Sequence, residues 1–146
     1  MKLVIAAIAL ATTPLLDVSP RSFSSTQSAD EAGVRKALGY YLAGHATGIA
    51  DTMAKGFHPD AELKFVRNGQ YTRRTLAEYL SGFNGRPAAD EAQRVRRIVA
   101  IDIVGNAASA KIELDYPNTL LTDYMQLLKV EGDWKIVHKI FHSAPK

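Results

Sequence analysis

The chain has 146 residues, of which 47% are hydrophobic and 23% are charged, and its formal net charge is +3. These values are typical of one globular domain with enough length to form a buried core. The small positive charge comes without a dense run of lysine and arginine, which argues against a nucleic-acid-binding protein. The absence of cysteine excludes disulfides, thiolate catalysis and cysteine-ligated zinc.

The N-terminus has the pattern of a secretory signal peptide. Met1 and Lys2 precede the apolar run LVIAAIALA, and small and serine residues follow up to Ser28. The apolar run is too short to form a membrane-spanning helix. We therefore expect residues 1–27 to be a signal peptide and the mature protein to be secreted or periplasmic. A disordered or membrane-tethering tail is the alternative interpretation. The folded domain is expected over residues 28–146.

Helical patterns dominate the first part of this domain. Residues 28–31 have the form of a capping box, and apolar residues then repeat at helical spacing over residues 34–42. A short second helix is predicted over residues 49–57, because Pro59 stops it. A second capping box, at residues 75–78, predicts the start of a third helix.

The rest of the chain is rich in strand and turn signals. Asn68-Gly69 predicts a tight hairpin, and Gly105-Asn106 predicts a second one between strands over residues 94–104 and 107–116. The last hairpin joins residues 123–130 to residues 134–142. Helices followed by a meander of strands predict an α+β domain.

The last hairpin is apolar on both faces, which predicts that both faces are covered. If Gly132-Asp133 is the turn, strict alternation places Trp134, Ile136, His138 and Ile140 on one face beside Met125 and Leu127. The opposite face then carries Val137 and Phe141 beside Tyr124, Leu128 and Val130. We assign the first face to an internal pocket and the second face to contact with a second subunit.

Several short motifs occur in a distinctive order along the chain. They are Tyr41-Leu42-x-Gly44, Phe57-His58-Pro59-Asp60-Ala61, Glu78-Tyr79, Ile101-Asp102-Ile103-x-Gly105 and Trp134-Lys135-Ile136-Val137-x-Lys139-x-Phe141. In this order they resemble the nuclear-transport-factor-2-like superfamily of cystatin-like cone folds, which includes ketosteroid isomerase and SnoaL-like cyclases. Within it, the chain is most similar to the bacterial putative lumazine-binding family. The resemblance implies a curved mixed or antiparallel sheet wrapped against three N-terminal helices, an internal pocket for a flat aromatic ligand, and usually a homodimer through the outer sheet face.

Histidine and aromatic side chains are the candidates for lining this pocket. His138 is the first candidate for a general base and His58 the second, because imidazole titrates near neutral pH. If the hairpin faces the other way, Lys139 takes the place of His138. The candidate ligand-binding residues are Tyr41, His45, His58, Tyr71, Tyr79, Phe83, Tyr116, Met125, Trp134 and His138.

The sequence leaves three functions open. The first is binding of a small hydrophobic or heteroaromatic ligand. The second is an isomerase, dehydratase or cyclase with a histidine base, and the third is a structural dimeric module. The four histidines match no metal-binding motif and no nucleotide fingerprint is present, so no metal or cofactor is expected. Asp102 falls on a charged strand face and is expected at the surface.

Overall fold

The computed structural model describes residues 25–146. Residues 1–24, which make up most of the predicted signal peptide, lie outside the described residues. The helices are α1 (Ser25–Thr47), α2 (Ala50–Ala54) and α3 (Leu76–Leu80), and a short 3-10 helix covers Glu91–Gln93. The strands are β1 (Phe57–Arg67), β2 (Gln70–Thr75), β3 (Val95–Val104), β4 (Ala107–Tyr116), β5 (Thr119–Val130) and β6 (Asp133–Pro145).

The six strands form one mixed sheet in the order β2-β1-β6-β5-β4-β3. The β1–β6 pair is parallel, and the other neighbouring pairs are antiparallel. The sheet curves around the helices, so the predicted α+β cone fold is confirmed. The last hairpin, β5–β6, lies in the middle of the sheet, where both of its strands are paired on both sides.

Local signals predicted some element boundaries and missed others. The capping box at Thr75 and Glu78 is present, with each side chain bonded to the backbone of the other residue. Ser28 lies inside α1, so it does not cap the helix as we expected. The second helix ends at Ala54, and His58 therefore belongs to β1 and not to a helix exit.

The turn of the last hairpin lies one residue earlier than predicted. Glu131 and Gly132 have φ values of 52° and 90°, so they form the left-handed turn, and Val130 pairs with Asp133. A glycine and one tolerated non-glycine residue in this region suit a two-residue hairpin turn. Leu127 consequently pairs with Ile136, whereas a turn at Gly132-Asp133 would have paired it with His138.

A β-bulge in β6 decides which side chains face the helices. Leu127 pairs with Ile136, but the next residue, Gln126, pairs with His138, so Val137 is an extra residue on β6. A single extra residue reverses the alternation of side chains beyond it. Trp134, Ile136 and Lys139 consequently face the helices and are buried, whereas Ile140 is exposed on the outer face.

A second bulge, in β3, acts in the same way. Ile98 pairs with Ile112 and Ala100 pairs with Lys111, which leaves Val99 as the extra residue. Val99 and Val95 are exposed, and the Arg96 side chain is only 8% exposed. Asp102 lies on the exposed side, as expected.

The hydrophobic core lies between α1 and the concave face of the sheet. Val34, Leu38 and Tyr41 on α1 are fully buried. They pack in one cluster with the inward-facing strand residues, which include Ile112, Leu114, Met125, Leu127 and Ile136. The helices therefore close the concave face, and polar groups that point into it are removed from water.

Candidate functional site

Three polar side chains meet inside the cone, from three different elements. The Tyr41 hydroxyl on α1 donates a hydrogen bond of 2.5 Å to Oδ2 of Asp123 on β5. The Lys139 ammonium on β6 donates to the Tyr41 hydroxyl oxygen, also at 2.5 Å. Lys139 Nζ lies 3.1 Å from Asp123 Oδ1. We call Tyr41, Asp123 and Lys139 the interior cluster.

The interior cluster is withdrawn from solvent. Asp123 and Tyr41 are 0% exposed and Lys139 is 3% exposed. Although Asp123 Oδ1 lies close to the ammonium, it has no hydrogen-bond partner among the described residues. Removing two charges from water costs several kcal/mol each, and their attraction repays this cost only when the remaining lone pairs are also satisfied. Burial of the Lys139–Asp123 pair is therefore unfavourable for folding, since Asp123 Oδ1 lacks a hydrogen bond within the described residues.

Burial also shifts the titration of these groups. It raises the pKa of Tyr41 far above its ordinary value, and Tyr79 and Asp123 add to this shift. Tyr41 therefore keeps its proton and can act as a hydrogen-bond donor. Burial lowers the pKa of Lys139, and the Asp123 carboxylate opposes this shift.

Aromatic rings surround the Lys139 ammonium. Nζ lies 4.7 Å from the centre of the Tyr41 ring, 4.8 Å from that of Phe141 and 5.5 Å from that of Tyr79. Phe141 faces inward because the bulge at Val137 turns it away from the outer face, where alternation had placed it. The rings stabilise the cation and shield it from water.

His45 connects the interior cluster to the open end of the cone. Its Nε2 lies 3.0 Å from the Tyr79 hydroxyl, and its ring lies 4.7 Å from the Tyr41 ring and 5.5 Å from the Phe83 ring. Burial lowers the pKa of His45 well below its ordinary value, and the charges of Lys139 and Arg96 add to the effect. His45 is therefore neutral at neutral pH.

A second polar cluster closes the rim of the cone. Arg96 on β3 donates two hydrogen bonds, of 2.6 and 2.7 Å, to the carboxylate of Glu91. It also donates to the Tyr116 hydroxyl at 3.3 Å, and the Arg94 guanidinium lies 4.1 Å above the Tyr116 ring. We call Glu91, Arg94, Arg96 and Tyr116 the rim cluster.

A cleft of about 220 Å³ opens beside the rim cluster. It is lined by His45, Gly48, Gly82, Phe83, Asn84, Arg86, Pro87, Ala88 and Arg94. Gly48 has a φ of +71°, and a Cβ atom built on it would lie 1.9 Å from the Arg86 carbonyl oxygen. Only glycine fits there, and the loop after α3 consequently lies directly on the turn that follows α1.

The structure brings together only part of the set predicted from the sequence. Tyr41, His45, Tyr79 and Phe83 converge inside the cone, and Tyr116 belongs to the rim. Met125 is fully buried in the core. Trp134 is also buried, and its indole Nε1 donates to Asp30 at 3.2 Å on the far side of α1.

Three of the predicted residues lie away from the interior. Tyr71 is 70% exposed on β2, because that strand is at the edge of the sheet. His58 accepts a hydrogen bond from the Asp60 amide within β1. His138 faces outward because of the β6 bulge, and its Nδ1 lies 3.1 Å from Gln126 Oε1.

The sequence analysis missed Asp123 as a site residue and placed Lys139 in the interior only if the hairpin faced the other way. A charged residue on an otherwise apolar strand face would have drawn attention to both. Strict alternation instead placed Lys139 beside solvent or a partner. No residue type marks Val137 as the extra residue of a bulge, so the sequence could not supply the correct facing.

The described part of the chain has neither a metal-binding cluster nor a membrane-spanning helix. Residues 25–146 contain no group of three or more histidine, aspartate and glutamate side chains arranged to hold a metal ion. Within the same range, no helix has the length and apolar character needed to cross a membrane.

The curved sheet, the covering helices and the polar interior define a nuclear-transport-factor-2-like cone. A family model described as Putative lumazine-binding matches residues 29–142. Because the match covers most of the chain, this protein belongs to the putative lumazine-binding family, as its motifs predicted.

Similar proteins include one named enzyme and two solved structures. Aldolase FrzH of Cladobotryum sp is 24% identical over 106 residues, which are 73% of this chain and 85% of that protein. A nuclear-transport-factor-2-like protein of unknown function from Shewanella baltica OS155 is 28% identical, with a TM-score of 0.76 over 84% of this chain and all of that one. Another, from Methylobacillus flagellatus KT, is 29% identical, with a TM-score of 0.70 over 80% of this chain and 93% of that one.

Proposed function

We propose that this protein binds a small carbonyl-bearing organic molecule inside the cone, at the interior cluster. The observation that carries the proposal is the buried Lys139–Asp123 pair with Tyr41 between its members. Tyr41 and Lys139 are both hydrogen-bond donors, and a carbonyl oxygen needs donors. The name of the family supports a ligand of this kind, since lumazine is a flat heterocycle that carries two carbonyl groups.

The energetics favour a functional role for this cluster. Apolar residues of similar volume would stabilise the fold equally well or better than a buried ion pair. Strongly perturbed titratable groups that are buried together are typical of functional sites. Asp123 Oδ1 faces the Lys139 ammonium at 3.1 Å and has no hydrogen-bond partner among the described residues, so it can accept a hydrogen bond from an N–H group of the ligand.

We propose that the ligand enters from the cleft beside the rim cluster. It reaches His45, whose ring contacts Tyr41. The volume of about 220 Å³ is below the range of about 300–1,000 Å³ usual for ligand pockets, so the ligand is small. The ring of Phe83, which lines the cleft, and the ring of Tyr79, whose centre lies 5.4 Å from that of Phe83, suit a flat ligand.

A second candidate function is catalysis on a carbonyl compound, and the relative named Aldolase FrzH favours it. In this version His45 replaces His138 as the histidine of the site, and Lys139 and Asp123 supply proton transfer. Tyr41 stabilises negative charge that develops on the carbonyl oxygen.

We also propose a homodimer through the outer face of the sheet. Tyr124, Leu128 and Ile140 are 50%, 41% and 45% exposed there, although all three are large and apolar. A continuous exposed apolar patch is typical of an interaction surface. Ile140→Asp should convert the dimer to a monomer in light scattering, whereas a wild-type monomer at micromolar concentration would contradict the proposal.

Export to the periplasm or the cell exterior is a separate proposal, supported by the N-terminal sequence pattern. Expression of the full chain in a bacterial host, followed by cell fractionation and N-terminal sequencing, tests it. A shortened protein in the periplasmic fraction is expected. Uncleaved protein in the cytoplasm would contradict export.

The ligand proposal is tested by titration with lumazine, followed by its fluorescence, and with acetophenone as an aromatic ketone. Tyr41→Phe removes one donor without changing the volume, so affinity should fall about ten-fold, the equivalent of about 1.4 kcal/mol. His138→Ala, a change beside Lys139 on the outer face, should leave affinity unchanged. The proposal fails if neither compound binds at millimolar concentration, or if the two variants behave alike.

A further inference from the structure

We infer that Lys139 acts as a nucleophilic amine that forms a reversible imine with an aldehyde or ketone inside the cone. The inference rests on the ligand site proposed above and names the chemistry of that site. Condensation of an amine with a carbonyl group needs three components: the amine, a group that takes a proton from the ammonium, and a group that protonates the carbonyl oxygen. The interior cluster holds all three within 3.1 Å.

The position of Lys139 suits a nucleophile. It lies on β6, whose two neighbours β1 and β5 hold the backbone in place. Three aromatic rings surround Nζ, and the side chain is almost fully buried. Burial lowers the pKa of Lys139, which makes the neutral amine more accessible than it is in an exposed lysine.

The neighbours of Lys139 supply the proton transfers. Asp123 takes up a proton from the ammonium through the Tyr41 hydroxyl, which accepts a hydrogen bond from Nζ and donates one to Oδ2, each at 2.5 Å, and a neutral amine is left. The nitrogen lone pair then forms the bond to the carbonyl carbon as the carbonyl π bond breaks. The Tyr41 hydroxyl, 2.5 Å from Nζ, gives its proton to the new oxyanion and recovers one from the nitrogen, which yields a neutral carbinolamine.

Loss of water completes the step. Asp123 returns its proton to the carbinolamine hydroxyl, the C–O bond breaks, and the nitrogen lone pair forms the iminium double bond. In total, the ammonium and the carbonyl compound give the iminium and one water molecule. The Asp123 carboxylate again faces one positive charge, so the electrostatic balance of the buried pair is preserved.

The test uses the wild-type protein with acetaldehyde and sodium cyanoborohydride, which reduces an imine to a stable ethyl amine. Labelling is followed at early times near pH 6.5, where an exposed lysine is almost entirely protonated. Peptide mass mapping then compares Lys139 with Lys36, an exposed lysine on α1. We expect Lys139 to be ethylated at least about ten-fold faster than Lys36, equivalent to about 1.4 kcal/mol in activation free energy.

The variant Tyr41→Phe distinguishes imine formation that is assisted by the interior cluster from the intrinsic reactivity of the Lys139 amine. Tyr41→Phe removes the hydroxyl that relays the proton, so labelling of Lys139 should slow at least about ten-fold while that of Lys36 stays constant. Labelling of Lys139 that is no faster than that of Lys36 overturns the inference. Equal labelling of Lys139 in wild type and in Tyr41→Phe overturns the role given to Tyr41, and with it the step as written.

The two proposals fail in different ways. If lumazine or acetophenone binds but Lys139 is not labelled, the ligand site stands and the imine chemistry is wrong. If Lys139 is labelled selectively but neither compound binds, the amine is a nucleophile and the ligand class proposed above is wrong.

Discussion

The interior cluster and the rim cluster contain the same kinds of polar group in different surroundings. Each joins a tyrosine, a carboxylate and a cation, in one case Tyr41, Asp123 and Lys139, in the other Tyr116, Glu91 and Arg96. At the rim, all of the carboxylate oxygens accept a hydrogen bond from Arg96, and Glu91 remains partly exposed. In the interior, the charges are buried, and Asp123 Oδ1 accepts no hydrogen bond from any residue in the described range 25–146.

We propose that this difference separates a structural cluster, at the rim, from a ligand-binding one, in the interior. The rim cluster ties the short 3-10 helix to β3 and, through a 3.4 Å hydrogen bond from Arg96 to the His45 carbonyl, to the end of α1. Its polar groups hydrogen-bond to one another, and they hold the open end of the cone in place. In the interior cluster, by contrast, burial is unfavourable for stability and shifts the pKa values of Tyr41 and Lys139, which is the arrangement expected of the proposed ligand site.

The largest effect on stability is expected from breaking the interior pair. Asp123→Ala leaves the Lys139 ammonium buried and unpaired, so the free energy of unfolding should fall by about 3–5 kcal/mol. Urea denaturation measures this change. Arg97→Ala is the matched control, because Arg97 pairs with Glu113 on an exposed sheet face and its loss should cost less than about 1 kcal/mol. Equal losses in the two variants would contradict the comparison.

A smaller effect is expected at the rim. Arg96→Ala removes a charge-assisted pair of hydrogen bonds and should cost about 1.5–3 kcal/mol. Arg96→Lys should recover only part of this, because an ammonium cannot make two parallel bonds to one carboxylate. The control is Arg35→Ala, which breaks an exposed pair on α1 and should cost less than about 0.5 kcal/mol. Full recovery in Arg96→Lys would show that charge alone matters at the rim.

The smallest effect is a dependence of stability on pH that comes from His45, between the two clusters. Its pKa in the folded state is lowered by burial, so below about pH 6.5 the unfolded state binds more protons than the folded state. Its contribution to stability is complete above that pH and is lost as the pH falls. At pH 5.5 the loss is at most about 1.4 kcal/mol.

The measurement compares urea unfolding of the wild type at pH 7.5 and 5.5 with that of His45→Gln. The glutamine amide can replace Nε2 as a partner of the Tyr79 hydroxyl, but it does not titrate. Burial also lowers the pKa of His138, with the same sign, so the difference between the two proteins isolates His45. The account is contradicted if His45→Gln is as sensitive to pH as the wild type.

Much of the fold could be predicted because its signals are local. The Asn68-Gly69 turn and the Thr75 capping box each depend on a few neighbouring residues, and the structure contains both. The family motifs then predicted the cone fold, and they included Tyr41, which the structure places inside the cone.

The side of the sheet on which the site residues lie is set by two β-bulges that the sequence does not mark. The bulges at Val137 and Val99 each add one residue to a strand, and this single residue reverses every side chain beyond it. His138 was therefore assigned to the pocket and Lys139 to the outside, when the reverse is true. The bulge at Val99 likewise turns Arg96 to the buried side of the sheet, where strict alternation along β3 would not place it. An alternating pattern predicts the facing of a strand only up to the first bulge.

The central claim is that the buried Lys139–Asp123 pair serves a ligand and does not stabilise the fold. The most direct test is the double variant Lys139→Met with Asp123→Leu, examined by urea denaturation and by lumazine titration. We predict a free energy of unfolding equal to that of the wild type or up to about 4 kcal/mol higher, together with loss of lumazine binding. A double variant that is destabilised by about 3 kcal/mol or more and binds lumazine as the wild type does would contradict the account.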